Sequence, residues 1–149
     1  MEYELVAVTA PGDWAAFHAI RRIELFEAKG RYGVYNANHP DDVADFAHPY
    51  LLKVSGKPVG VLRLDILGAG RAAIRLVAIT AGEQGRGHGR VMEGLVAEQA
   101  RHFGIDTLVV NSAPEAVGFY EKAGWQKFVW DADELIGIAA DCVQMKKPI

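Results

Sequence analysis

Val77-Ala78-Ile79-Thr80-Ala81-Gly82-Glu83-Gln84-Gly85-Arg86-Gly87-His88-Gly89-Arg90 is the stretch on which the fold turns. It leaves an apolar strand, alternates glycine three times between positions 85 and 89, and runs straight into an amphipathic pattern. Glycine tolerates positive φ and lets a ligand approach the main chain. The first turn of a helix carries unpaired N–H groups and the positive end of the helix dipole. Together these make an anion cradle suited to phosphate, with Arg86 and Arg90 adding charge at its rim. The same residues also suit a mobile surface loop with no ligand, and a lone G-x-G does not separate the two readings. Two other phosphate loops are excluded. A nucleotide P-loop ends in Gly-Lys-Ser/Thr, whereas Gly89 is followed by Arg90 and Val91. A dinucleotide fingerprint spaces its glycines G-x-G-x-x-G in an early βαβ unit, whereas this loop is G-x-G-x-G.

Outward from the loop, Val91, Met92, Leu95, Val96 and Phe103 form one helical stripe, with Arg90, Glu93, Glu98 and Arg101 off it, ending near Gly104. Residues 107–110 form a short strand. Ser112 is placed to cap a helix that ends near Gly124, with Glu115 at its third position. Residues 125–130 and 142–146 are the last strands. Upstream, residues 72–79, 59–67 and 50–54 are strands joined by Gly68-Ala69-Gly70 and Ser55-Gly56-Lys57-Pro58, an antiparallel meander. Residues 31–49 are irregular and a helix runs from Trp14 to about Gly30. Residues 3–8 are the first strand. A strand–helix–strand crossover over residues 72–110 makes its two strands parallel. The sheet is therefore mixed, in one domain over residues 1–149.

Half of the 149 residues are hydrophobic, 23% are charged, and the net charge is −3. That is the balance of a globular domain and gives no basic surplus for nucleic acid. The single cysteine, Cys142, excludes an internal disulfide. The acidic N-terminus lacks signal-peptide features, and no apolar run has membrane-spanning length. The expectation is a cytoplasmic protein without a membrane partner. The five histidines form no ligand cluster, so no metal is expected.

Gln84-x-x-Gly87-x-Gly89, after a strand and before a helix, resembles motif A of the GCN5-related N-acetyltransferases (GNAT). Asn111 and then Ala116-Val117-Gly118-Phe119-Tyr120-Glu121-Lys122-Ala123-Gly124-Trp125 resemble motif B. The resemblance spans nearly the whole chain. It implies an α/β fold with a mixed, mainly antiparallel sheet of about seven strands, splayed between the fourth and fifth, with helices on both faces. It implies acetyl-CoA as cosubstrate, an amine of a small molecule or peptide as acceptor, direct attack in a ternary complex, and a homodimer at the family level. The rival from another class is a non-catalytic acyl-CoA sensor on the same fold.

By the same resemblance, Val77, Ala78 and Ile79 offer main-chain groups to the pantetheine arm, and Gln84, Gly85, Arg86, Gly87, His88, Gly89 and Arg90 wrap the pyrophosphate. Asn111 bonds the cofactor arm, and Tyr120 protonates the departing thiolate. The family glutamate on the motif-A strand aligns with Arg75, which cannot accept a proton. That leaves Asp65 and Glu24 as candidate bases. Side chains two apart on a strand share a face. Arg63 and Arg75 therefore either grip an acceptor carboxylate in the cleft or form ion pairs such as Arg75–Asp65. Tyr32 and Tyr35, with Asn36 and His39, sit where the family builds its acceptor wall.

Overall fold

A computed structural model describes residues 2–149. Seven strands form one sheet: β1 (Tyr3–Ala7), β2 (Ala47–Val54), β3 (Lys57–Gly68), β4 (Arg71–Ile79), β5 (Thr107–Ser112), β6 (Gln126–Lys127) and β7 (Val143–Pro148). Their spatial order is β1-β2-β3-β4-β5-β7-β6, and β4–β5 is the parallel pair. The helices are α1 (Pro11–Arg21), α2 (His88–His102) and α3 (Val117–Lys122).

Local sequence explains the meander. Ser55 and Gly56 both have positive φ, as do Ala69 and Gly70. Two consecutive left-handed residues match the twist of flanking strands, so β2–β3 and β3–β4 close as tight hairpins. β2 starts at Ala47 and so includes Pro49 and the end of the expected irregular segment. Pro49 lies just beyond the last β1 pair, Ala7–Tyr50; its carbonyl accepts from Val8 N–H, and its missing N–H ends the ladder there.

α1 starts with Pro11 at its first turn and does not run regularly to Gly30. It widens into a π turn over Arg22–Phe26 and tightens over Glu27–Lys29, where left-handed Gly30 stops it. Ser112 is not the expected helix cap. It belongs to β5, and its hydroxyl donates to the Ala113 carbonyl. The strand expected at 125–130 shrinks to Gln126–Lys127, followed by a long β6–β7 loop.

Each face of the sheet has its own core. Leu52, Leu62, Leu64, Ile74, Leu108 and Val110 meet Met92, Val96, Ala97 and Ala100 of α2 and Tyr120 of α3. On the other face Leu51, Val61 and Ala78 meet Phe17 and Ile20 of α1. Fully burying one such large aliphatic side chain stabilises by about 1.5–3 kcal/mol. Glu93, expected on the polar side of α2, is buried. Its carboxylate accepts from the Trp125 indole at 3.1 Å and from Lys147 at 3.0 Å.

The register breaks where function is expected. Val61 faces Ala78, but Arg63 faces Arg75, so Leu62 opposes both Leu76 and Val77. Leu76 has φ 55°, the left-handed conformation a branched side chain rarely adopts. This β-bulge inserts one residue and flips the face of all that follows. Ile74, Val77 and Ile79 therefore share the α2 face, while Arg75 lies on the α1 face. Two-residue periodicity alone would place Arg75 on the face of Val77 and Ile79, and the bulge overturns it.

Candidate active site

β4 and β5 pair from Arg71–Thr107 to Ile74–Val110 and no further. Beyond that point β4 stays with β3 and β5 with β7, so a gap opens between them. A cleft of about 780 Å³ occupies it, walled by Ile74 to Val77 on one side and Val110 to Ala116 on the other, with Tyr120 beside them. Leu25, Phe26, Lys29 and Arg31 from the turns after α1, and Ile138, Ala139, Asp141 and Cys142 from the β6–β7 loop, extend the walls.

One end of the gap leads to the glycine loop. Gly85 and Gly87 take φ 77° and 84°, and Gly87 is the left-handed N-cap of α2. No side chain caps this helix, and α2 begins its own hydrogen bonding with Val91 N–H to the Gly87 carbonyl. Among the described residues, the main-chain N–H groups of 85–90 find no protein acceptor. A Cβ on Gly82, Gly85 or Gly87 would meet nothing within 4 Å, so the space before these amides is open. Unpaired amides converging at a helix N-terminus, with the exposed Arg86 beside them, fit a diphosphate.

The side chains of the loop secure it from behind. Gln84 donates from Nε2 to the Ile79 carbonyl at 2.9 Å. His88 is buried, contacting the Tyr3 hydroxyl at 2.9 Å and Glu83 at 3.1 Å, so only its main chain is offered to a ligand. The His88 bond, followed by the Arg86 and Lys57 charges, holds the Glu83 carboxyl below its usual range. Arg90 lies over the Phe119 ring, 5.4 Å from its centre.

The strand candidates divide. Thr80 N–H bonds to the Val59 carbonyl, which by antiparallel alternation turns the Ile79 main chain toward the gap. Val77 lines the cleft. Ala78 does not join them: it pairs with Val61, and its side chain is buried on the α1 face.

Tyr120 is 5% exposed, packed at 5.2 Å from Trp125, and it lines the cleft. Burial, and then the Glu93 charge, push its pKa up to about 12. The phenol therefore keeps its proton near neutral pH.

The polar candidates behave otherwise. Arg63 and Asp65 are 5% and 2% exposed and sit inside a chain of alternating charges. Arg21 donates to both oxygens of Asp42 (2.8 and 2.9 Å), and Arg63 donates to Asp42 (2.9 Å) and to both oxygens of Asp65 (2.8 and 2.9 Å). Arg75 donates to Asp65 (2.9 Å) and to both oxygens of Glu134 (2.7 and 3.1 Å). Asn111 donates to Glu134 (3.0 Å) and accepts from Gln144 (2.9 Å). Three guanidinium groups thus neutralise three carboxylates. Burial alone would raise the Asp42 pKa, but the Arg21 and Arg63 bonds and charges outweigh it and leave it lowered. The Arg75 bond lowers Glu134.

Asp65 is therefore no general base, since two arginines hold its buried carboxylate. Arg63 is closed to an acceptor, and Arg75 would need to shed Glu134 to bind one. The Asn111 side chain is likewise committed to Glu134 and Gln144. Glu24 accepts from Ala81 N–H at 3.1 Å and anchors the start of the glycine loop. Tyr32 is 71% exposed and absent from the cleft lining. Tyr35 packs behind Phe26, a lining residue, and hydrogen-bonds His18, without lining the cleft itself. The sequence reading missed Asp42, Glu134 and Gln144, whose partners lie 21, 59 and 33 residues away. No local spacing could have marked them. Among the described residues there is no cluster of three potential metal ligands, and no helix is long and apolar enough to cross a membrane.

Comparisons with known proteins bear on this geometry. An acetyltransferase of the GNAT family from Staphylococcus aureus Mu50 superposes with a TM-score of 0.78 at 11% identity, covering 99% of each chain. An acetyltransferase from Streptococcus agalactiae 2603 gives 0.77 at 16% identity, covering 99% of this chain and 98% of that one. An aminoglycoside 6'-N-acetyltransferase complexed with coenzyme A gives 0.77 at 11% identity, covering 99% and 97%. At these identities the likeness is one of fold. A search of curated proteins finds no match. The model of the acetyltransferase (GNAT) family, however, matches residues 14–125, three quarters of the sequence and every element from α1 through α3. The chain belongs to the acetyltransferase (GNAT) family.

Proposed function

We propose that this protein transfers an acetyl group from acetyl-CoA to an amine of a small molecule or peptide, both bound at once in the β4–β5 cleft. The observation that carries the reading is the row of unpartnered amides at residues 85–90, at the end of the cleft where α2 begins. They would hold the pyrophosphate of CoA, whose arm would then follow the main chain of Val77 and the Ile79 N–H, the Ile79 carbonyl being taken by Gln84. The solved neighbour with coenzyme A bound supports that choice of cosubstrate.

In the reaction the amine nitrogen attacks the thioester carbonyl carbon. The C–N bond forms, the C–S bond breaks, and the amine loses a proton as sulfur leaves with the electron pair. Holding two reactants in register supplies most of the acceleration, since effective molarities of about 10⁵ M or more are attainable. Tyr120 would donate a hydrogen bond to the sulfur as negative charge develops there. A phenol of pKa about 12 is a weaker acid than a thiol of about 8.5, so its proton is shared rather than surrendered. No carboxylate of the charge chain is a suitable base, because arginines hold them all. The incoming amine is therefore expected to arrive neutral, to lose its proton to water, or to pass it to a carboxylate outside the chain such as Glu115 or Asp141, which line the cleft.

Release of free thiol from acetyl-CoA across a panel of amines tests this. Amine-dependent thiol release is the expected result. Binding of CoA without turnover by any amine would replace the enzyme by an acyl-CoA sensor.

A further inference from the structure

The main-chain ladder between β4 and β5 ends at Ile74–Val110. The very next residues on the two strands are Arg75 and Asn111, and one carboxylate receives both. Glu134 accepts from Arg75 at 2.7 and 3.1 Å and from Asn111 at 3.0 Å. A side chain from a distant loop thus takes over the strand pairing at the point where it stops.

We propose that Glu134 is a positioning residue that clips β4 to β5 at the apex of their splay and ties the β6–β7 loop to the cleft. The second tether is Gln144. Its Oε1 accepts from the N–H groups of Trp130 and Asp131, while its Nε2 donates to Asn111. Trp130 Nε1 also donates to the Val110 carbonyl at 3.1 Å and Gln144 Nε2 to the Asp131 carbonyl at 2.6 Å, so polar bonds fix the start of the loop. Beyond it, Ile136 and Ile138 are each 72% exposed, so apolar burial contributes little to its position. Yet Ile138, Ala139, Asp141 and Cys142 form the far wall of the cleft. Past Asp131, among the described residues, the hydrogen bonds that join the loop to the strands are the charge-assisted ones of Glu134.

Glu134 does not line the cleft, so it acts through Arg75 and Asn111. The clip also accounts for the arginine on β4. With the bulge at Leu76 directing Arg75 to the α1 face, its guanidinium joins Asp65 inside the sheet to Glu134 on the loop.

The first arm of the test needs no ligand. Hydrogen exchange on Glu134→Ala should quicken at residues 75–77, 111–112 and 131–141 and stay unchanged in α2 and β1. Unchanged exchange at the splay, or uniform quickening across the fold, would overturn the proposal. The second arm rests on the acyltransfer reading. Acetyl-CoA should bind the variant about tenfold more weakly, which is about 1.4 kcal/mol. The fragment 3'-phospho-ADP, which carries the pyrophosphate but no arm, should bind within twofold of the unaltered protein. Equal weakening of both ligands would point to general damage and overturn the clip, as would no weakening of either. Glu134→Gln keeps an oxygen acceptor for Asn111 and should fall between the two. If the unaltered protein binds neither ligand, the acyltransfer reading fails while hydrogen exchange still decides the clip.

Discussion

The two polar regions flanking the cleft are built on opposite rules. At residues 85–90 donors are gathered and left open, with glycines keeping side chains out of the way. Along Arg21–Asp42–Arg63–Asp65–Arg75–Glu134 nearly every donor and acceptor is closed on a partner. The exceptions are Nε and Nη2 of Arg21, which are buried without an acceptor while the guanidinium lies 4.1 Å from the centre of the Phe17 ring. An open donor set invites an anion, whereas a neutralised one holds the fold. The chemical type of a residue therefore says less about its role than whether the chain has already satisfied it.

The largest effect should come from breaking the closed region. Arg63→Met leaves Asp42 and Asp65 short of a shared partner in the core and should cost about 3–5 kcal/mol in urea denaturation. A loss under about 1 kcal/mol would mean the chain is solvated and the contrast false. Next comes Tyr120→Phe, expected to lower kcat by about 10²-fold, the lower end for loss of one hydrogen-bond donor to developing charge, with CoA affinity unchanged. An unchanged kcat would return Tyr120 to the core as an ordinary aromatic. Gly87→Val puts a branched side chain where φ is 84°, a conformation it rarely adopts, so the loop should leave its glycine-only shape. It should weaken CoA binding by about tenfold or more, since left-handed backbone costs an ordinary residue about 1–2 kcal/mol. Equal affinity in calorimetry would separate the loop from the ligand.

Acid should act on the closed region before the open one. Asp42 and Glu134 both have lowered pKa values in the fold. Such groups contribute stability that is present above their unfolded values, and it is lost as pH falls through the lowered ones, below about pH 4. Stability followed by circular dichroism should therefore drop below that pH, and less steeply in Glu134→Gln. The smallest effect is expected from Gln84→Ala, which removes one exposed bond to Ile79 and should cost about 0.5–1.5 kcal/mol.

The contrast also explains what could be read from residues alone. The glycine loop, its helix and the meander are local patterns, with spacing visible within a dozen residues. The splay followed from resemblance and appears at Ile74–Val110. The bulge at Leu76 has no glycine or proline to announce it, so strict alternation misplaces Arg75 relative to Val77 and Ile79. For Arg63, Asp65 and Arg75 the residues alone leave a ligand and an ion pair open, and the structure shows the Arg75–Asp65 pair. The other partners of Arg63, Arg75 and Asn111, which are Asp42, Glu134 and Gln144, come from loops and strands far along the chain. Pairing at such separations is a property of the tertiary fold. Tyr32 and Tyr35 do not line the cleft, whereas Leu25 and Phe26 of the π turn do, a placement that depends on how the turn packs and not on local sequence.

The central claim is that the open amides at the start of α2 receive the pyrophosphate of CoA. Titration of ¹⁵N-labelled protein with CoA tests it residue by residue. The amide resonances of Gly85, Gly87, Gly89 and Arg90 should move the most, in step with one another, while those of the buried charge chain stay in place. Shifts centred elsewhere, or none at millimolar CoA in a folded sample, would contradict it.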